Sequence, residues 1–391
     1  MSPPLINRSA DLRRLRDEGY DVDVVGGYLV VRQVPYVNGS RKVKFGILVS
    51  ELTLAGEVTA RPSTHVIHFA GEYPCHQDGS PIEQIRHRTG QMRLDENLVV
   101  DHSFSSKPPS GGYSDYYEKV TTYVAILSSP AHALDPSVTP CVFPVIEAAA
   151  EESVFHYTDT ASSRARINTV TKKLEGGSVG IIGLGGTGAY VLDLIAKTPV
   201  AEIHLFDGDR FLQHNAFRSP GAPSLEDLRQ EPKKVAYYAE RYGRMRRNII
   251  AHDCYITADN AALLEGLDFA FVCVDDAAAK GLIIESLEAY GVSFIDVGMG
   301  IQQVDGSLRG LLRVTTSTPE KRDHVGYRVS RATSVDDAYT TNIQIAELNA
   351  LNAALAVIRW KKLRGFYADL EHEYNSTYTL DGNVLTNDDR L

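Results

Sequence analysis

Sulfur and tryptophan are scarce in this sequence: 391 residues carry four cysteines, four methionines and one tryptophan. The cysteines, Cys75, Cys141, Cys254 and Cys273, lie far apart, and no Cys-x-x-Cys pair occurs. That spacing excludes a zinc ribbon and gives no disulfide framework, so a reducing cytoplasm is the expected compartment. Basic charge is also short. Lys and Arg number 40 against 50 Asp and Glu, a formal net charge of −10 at pH 7. This balance argues against nucleic acid or an anionic membrane as the main partner, while leaving room for a local basic site. Long hydrophobic runs are missing too: there is no segment of signal-peptide type and no stretch of about 18 apolar residues. What is present is an ordinary globular composition, 43% hydrophobic and 23% charged. The length suits two domains, each able to bury its own core.

Residues from about 20 to 150 read as β-rich. Gly27-Tyr28-Leu29-Val30-Val31 and Phe45-Gly46-Ile47-Leu48-Val49 are strands flanking the turn-prone Asn38-Gly39-Ser40, and Thr64 to Phe69 alternates polar and apolar residues. Ser105 to Tyr116, rich in Ser, Pro, Gly and Tyr, reads as a loop, and Thr121 to Ile126 as a strand or a buried helix. Ser163 to Leu174 reads as a polar, basic helix leading into Gly176-Gly177. The domain boundary is placed near residue 155, giving a β-rich, partner-binding N-terminal domain (1–155) and an α/β domain (156–391).

The most informative stretch lies in the second domain. Gly183-Leu184-Gly185-Gly186-Thr187-Gly188 follows the apolar Ser178-Val179-Gly180-Ile181-Ile182 and precedes a helical run from Ala189 to Lys197. Strand, glycine loop and helix in that order form a nucleotide-binding context. Gly183 permits the tight turn, Gly185 and Gly186 let the backbone approach a phosphate, and Gly188 lets helix and strand pack closely. The helix N-terminus offers N–H groups to an anion. Beyond it, strands and helices alternate: Glu202–Phe206, a helix from Lys234 to Met245, the fully apolar Phe269–Val274, a helix from Lys280 to Tyr290, and Ser293–Val297. Asn342 to Leu363 is a long apolar-rich helix, packed on the sheet or on a subunit partner. The pattern predicts an α/β fold, doubly wound and Rossmann-like, preceded by a smaller β-rich (α+β) domain.

Asp207 closes the second strand, where an acid accepts hydrogen bonds from a ribose hydroxyl. After it come Asp209, then Asn215 and Arg218 in His214-Asn215-Ala216-Phe217-Arg218, then Lys233-Lys234, and finally Asp275-Asp276 after the apolar strand. In this order and context the chain resembles the ThiF-like adenylyltransferases, the superfamily that includes ubiquitin-activating enzymes, over roughly residues 164 to 365. The whole architecture is similar to ThiF-like proteins of bacterial ubiquitin-like conjugation operons.

The resemblance implies a ThiF-type adenylation domain that uses ATP and Mg²⁺ to adenylate the C-terminal carboxylate of a ubiquitin-like protein, releasing pyrophosphate. Arg218 and Lys234 (or Lys233) would stabilise phosphate charge, Asn215 would orient it, and Asp275 would hold the metal. Asp209 would touch the nucleotide or brace the loop, and the alternative for Asp275, beside Asp276, is an ordinary helix N-cap. The carboxylate nucleophile is already ionised at pH 7, so no general base is needed. A homodimer is implied as well, with Arg166 (or Arg164) reaching the ATP of the partner subunit.

In the better-known members a nucleophilic cysteine follows the last nucleotide-site strand, and here no cysteine follows Cys273. Cys254 and Cys273 read as small buried residues in strands, and Cys75, with polar neighbours, is the candidate reactive thiol. Hydroxyl acceptors stand at Thr316, Ser317, Thr318, Ser330, Thr333 and Ser334. The simpler expectation is direct transfer of the acyl group to a partner, such as a conjugating-enzyme-like protein. Adenylation of a small molecule, peptide or sulfur carrier, a non-catalytic conjugation scaffold, and a nicotinamide-dependent oxidoreductase are the alternatives. The last leaves Asn215, Arg218, Lys234 and Asp275 without a role.

Overall fold

The computed structural model describes residues 3–151, 153–329 and 343–390. Its contacts divide the chain into two compact units, one of Met1–Ala149 with Ser163–Ala165, the other of Ala150–Ser162 with Arg166–Leu391.

The first unit begins with helices α1 (Pro3–Arg8) and α2 (Ala10–Asp17). Its antiparallel sheet contains β1 (Asp21–Val25), β2 (Tyr28–Val37), β3 (Val43–Glu51), β4 (Val66–Ala70), β5 (Arg86–Asp95) and β6 (Leu98–Ser105). The strand order is β1-β2-β3-β4-β6-β5. Alternation along the strands sorts the two faces. Leu29, Val31, Leu48, Phe69 and Phe104 point into the main core, and Val30, Val49 and Val100 into a smaller one on the other face. Helix α3 (Tyr116–Leu134) covers the main core. Asp115 caps it by accepting the Glu118 N–H at 2.7 Å. Val120, Tyr123, Val124 and Leu127 are buried at helical spacing, so the stretch from Thr121 to Ile126 is helix rather than strand.

The second unit carries an eight-stranded sheet among the described residues. In chain order its main elements are β7 (Ser178–Ile182), α4 (Thr187–Ile195), β8 (Glu202–Phe206), α5 (Lys234–Gly243), β9 (Ile249–His252), β10 (Phe269–Val272) and α6 (Ala277–Ala289). They are followed by β11 (Ser293–Val304), β12 (Ser307–Ser317), α7 (Ala346–Leu363), β13 (Asn375–Thr379) and β14 (Val384–Asp388). The order is β9-β8-β7-β10-β11-β12-β13-β14, parallel from β9 to β11 and antiparallel beyond. The central parallel strands β7 and β10 are buried on both sides because helices cover both faces. Helix α7 packs on the sheet of its own chain, with Trp360 fully buried against the core of β7, β10 and α4. Among the described residues no helix is long and apolar enough to cross a membrane.

Three local expectations are corrected. The helix expected from Ser163 to Leu174 is broken into Thr160–Arg164, Asn168–Thr171 and a 3-10 turn at Lys172–Leu174, with Arg166 left-handed at φ +58°. The segment buries only Leu174, so no apolar face holds it as one helix. The strand from Ser293 does not stop at Val297 but continues through Gly298 and Gly300 into a long hairpin with β12. Cys254 and Cys273 lie just past the ends of β9 and β10, not within them.

Candidate active site

The sheet reverses its order between β7 and β10, and the carboxyl ends of these strands open a crevice where doubly wound folds bind ligands. The glycine loop begins there. Gly183 has φ +90°, a left-handed conformation that only glycine adopts freely, and a Cβ on it would meet the Cys273 carbonyl oxygen at 2.8 Å. Gly188 opens α4, and a Cβ there would come within 1.8 Å of the Gly183 oxygen. Gly186 is pressed equally close by the Asn349 amide, 2.0 Å from a built Cβ. Gly185 faces open space, with only Gln344 Oε1 at 4.0 Å.

Asp207 ends β8 and is buried. Its Oδ2 accepts the Leu184 N–H of the loop at 2.6 Å, and its Oδ1 accepts the Asp209 N–H at 2.8 Å. Lys234, at the start of α5 and also buried, donates to Asp209 Oδ2 at 2.7 Å and to Asp207 Oδ2 at 3.4 Å. An ammonium has three N–H donors, so one remains for a ligand. Burial pushes the Asp209 carboxyl upward, but hydrogen bonds from Lys234 and Tyr255 outweigh it and hold the group below its ordinary range. The same bond pushes Tyr255 up to about 12. Lys233 caps α5 and points elsewhere, donating to the Gly208 carbonyl at 2.8 Å and pairing with Asp253 at 3.0 Å.

Asn215 sits in the short helix Gln213–Ala216, where its Oδ1 accepts the Leu212 N–H at 2.8 Å. Among the described residues its buried Nδ2 and the buried Nε of Arg218 have no hydrogen-bond partner, a donor pair of the kind a phosphate would satisfy. The His214 imidazole is held below its ordinary value, first by burial and then by the charges of Arg218 and Lys234. Both cations therefore act on one small region. Asn349 of α7 ties this region to the loop, accepting the Thr187 hydroxyl at 2.8 Å and donating to the Arg218 carbonyl at 3.1 Å.

Asp275 and Asp276 separate clearly. Asp276 caps α6 by accepting the Ala279 N–H at 2.7 Å, and both it and the exposed Asp275 line a cavity of about 680 Å³ shared with Thr187 and Asn349. Among the described residues no group of three or more His, Cys, Asp or Glu side chains could hold a metal ion. Mg²⁺ commonly binds one or two carboxylates and takes its remaining ligands from phosphates and water. Asp275 would fit that pattern as a single carboxylate.

The glycine loop, Asp207, Asp209 and Lys234 are thus brought together directly, and Asn215, Arg218 and Asp275 join them through Asn349 and the cavity. Arg166 is not: it is exposed, and among the described residues no hydrogen bond or ion pair links it to the site. Cys75 is 3% exposed, its thiol donating to the Tyr73 carbonyl and pushed up by burial. It is a packed thiol rather than a reactive one. Thr316 and Ser317 are buried in β12 and Thr318 just beyond it, while Ser330, Thr333 and Ser334 lie outside the described residues. Sequence reasoning missed Asn349, and also Lys280, which lines the cavity and pairs at 2.8 Å with the buried Asp296. An acid inside the apolar run Phe294-Ile295-Asp296-Val297, and asparagines on an apolar helix, were the available signals.

A glycine loop, a buried acid–lysine network and a cavity at the switch point of a doubly wound sheet make up a nucleotide-type α/β site. A profile of the ThiF family matches residues 159–364, just over half of the chain, and the chain belongs to this family of ATP-binding adenylyltransferases. Residues 10–160 match a domain of unknown function, DUF6791. Among curated proteins no sequence matches. Similar solved structures include Escherichia coli MccB with ATP, at 17% identity and a TM-score of 0.45, covering 57% of this chain and 66% of that one. The microcin C7 biosynthetic enzyme MccB in complex with N-formylated MccA is 18% identical, with a TM-score of 0.43 and coverage of 56% and 66%. PaaA is 15% identical, with a TM-score of 0.40 and coverage of 57% and 76%. The chain thus spans about two thirds of the length of MccB.

Proposed function

We propose that this protein activates the C-terminal carboxylate of a ubiquitin-like protein by adenylation. One observation carries this assignment: Lys234 is held by Asp207 and Asp209 against the glycine loop with a donor to spare, and Asn349 ties that loop to the Arg218 turn beside a cavity that Asp275 lines. The carboxylate oxygen attacks the α-phosphorus of ATP, a C–O–P linkage forms, and the bond from the α-phosphorus to the bridging oxygen breaks. Pyrophosphate leaves with that electron pair. Arg218 and the third donor of Lys234 meet the charge that builds on the phosphates. The Leu184–Asp207–Asp209–Lys234 network fixes the loop beforehand, so little reorganisation is left to the reaction step. Mg²⁺ bound at Asp275 would supply further charge neutralisation. The acyl group then passes to a nucleophile on a conjugating-enzyme-like partner, in keeping with a thiol set that is buried or half-buried. In a homodimer Arg166 would serve the site of the other subunit, and the N-terminal region would dock the partner.

The test is ATP–pyrophosphate exchange with candidate ubiquitin-like proteins. Exchange should depend on the cognate protein and its free C-terminus, and Asp275→Ala should abolish it. Exchange driven equally well by a free amino acid would overturn the substrate assignment.

A further inference from the structure

Tyr255 stands beyond β9 with most of its surface in solvent, and the adenylation chemistry gives it no part. Its loop is shaped in advance. Asn260 donates its Nδ2 to the Tyr255 carbonyl at 2.9 Å, and its Oδ1 accepts the Thr257 N–H at 2.8 Å. The aromatic ring lies across Gly208, so close that a Cβ there would meet its Cε2 at 2.7 Å. From that position the phenol crosses the Asp207-Gly208-Asp209 turn and donates its hydroxyl to Oδ1 of Asp209. An exposed ring gains little from burial. What its placement secures is one hydrogen bond to a charged oxygen.

Asp209 is thereby occupied from within the chain. Oδ1 takes the Tyr255 hydroxyl, Oδ2 takes the Lys234 ammonium at 2.7 Å, and the Asp209 carbonyl takes the Lys234 backbone N–H at 3.0 Å. The two side-chain bonds together fix the rotation of the carboxylate. Rotation matters because Lys234 lies between two acids, with Asp207 the looser partner at 3.4 Å. Without the hydroxyl, the half-exposed Asp209 carboxylate is free to turn towards water. The ammonium then settles on the buried Asp207 and withdraws from a phosphate. Asp207 itself needs no such support, since the N–H groups of Leu184 and Asp209 already hold its two oxygens.

We infer that Tyr255 is a positioning residue of the nucleotide site: acting through Asp209, it aims the spare donor of Lys234 at the phosphates. Asp209 is then a brace rather than a nucleotide ligand. Resting on the ATP site proposed above, this adds a residue that governs phosphate binding without touching the nucleotide.

Tyr255→Phe removes the hydroxyl and keeps the ring. Titrated by calorimetry against the full chain with Mg²⁺ present, ATP should bind this variant about tenfold more weakly than the wild-type protein, the size of one hydrogen bond to a charged group. Adenosine, followed by ligand-observed NMR, should bind both within about twofold, because Asp207 is held independently. Asp209→Ala should weaken ATP at least as much as Tyr255→Phe does. Combining the two should cost less than about twofold more, since the path through Asp209 is already broken. ATP affinity unchanged by Tyr255→Phe overturns the assignment. An equal loss of ATP and adenosine overturns it as well, making the ring a base contact or a mere support of the loop. So does a further tenfold loss in the double variant. A wild-type protein that binds neither ligand removes the nucleotide site itself, and the role of Tyr255 with it. Should Asp209→Ala fail to fold, the comparison of ATP with adenosine decides alone.

Discussion

Lys233 and Lys234 are adjacent in sequence and opposite in fate. Lys234 lies between Asp207 and Asp209 with one donor to spare, and Lys233 is spent on Asp253 and a backbone carbonyl. Lys234→Met should lower exchange by about 10²-fold or more, the scale of losing one transition-state donor. Lys233→Met should leave it within about threefold, and steady-state exchange rates separate the two. Spacing alone could not choose between them, because the helical phase that buries one and frees the other is set by packing. Asp207, Asn215 and Arg218 were legible because their order is tied to chain landmarks. Lys280 and Asp296 were not, because their meaning arises only when α6 and β11 meet. A buried cation also occurs in the first unit. Lys119 is fully buried against the Ser50 hydroxyl, and burial lowers it from 10.5 to about 8. Below pH 8 both states hold the proton and the desolvation cost is fully present. Between pH 8 and 10.5 the unfolded state binds more protons, so stability should rise with pH across that window. Lys119→Met should stabilise the protein at pH 7 by ~1–3 kcal/mol and flatten this rise, as read from denaturation midpoints at pH 7 and pH 9.5.

At the scale of elements, β7 and β10 were readable because buried parallel strands are continuous apolar runs, and β8 by the alternation of Ile203, Leu205 and their polar neighbours. The region before β7 misled for the converse reason: a polar, basic stretch without an apolar face does not hold a long helix together. The β11–β12 hairpin was hidden by Gly298 and Gly300, which interrupt the strand pattern. A Cβ on Gly298 would meet the Arg313 guanidinium at 2.8 Å, so the glycine leaves that side chain its place. Two elements should be especially intolerant. Gly188→Ala drives a methyl into the Gly183 carbonyl and should cost about 3 kcal/mol or more, through overpacking that the loop cannot relieve. Trp360→Ala empties the junction of α7 with the sheet and should cost ~3–5 kcal/mol. Chemical denaturation of the two variants against the wild-type protein measures both.

Across the whole molecule, the formal charge of −10 surrounds a site that must attract a polyanion. Close-range cations and dipoles, rather than a long-range field, must therefore do the attracting. Binding should be detectable as stabilisation: ATP with Mg²⁺ at 100 times its Kd adds about 2.7 kcal/mol to the folded state. The expected rise in Tm should vanish in an Arg218→Ala, Lys234→Met double variant, and a thermal melt across an ATP titration checks it. The bonds of Asn349 give this site a timetable as well. They join Thr187 and Arg218 to a residue 162 and 131 positions further along the chain. A growing polypeptide can form β7, its glycine loop and β10 well before that asparagine has left the ribosome. Until it does, the loop lacks the clamp that holds it to the Arg218 turn. The nascent enzyme should thus be unable to grip ATP, or begin a wasteful adenylation, before its last large helix is made.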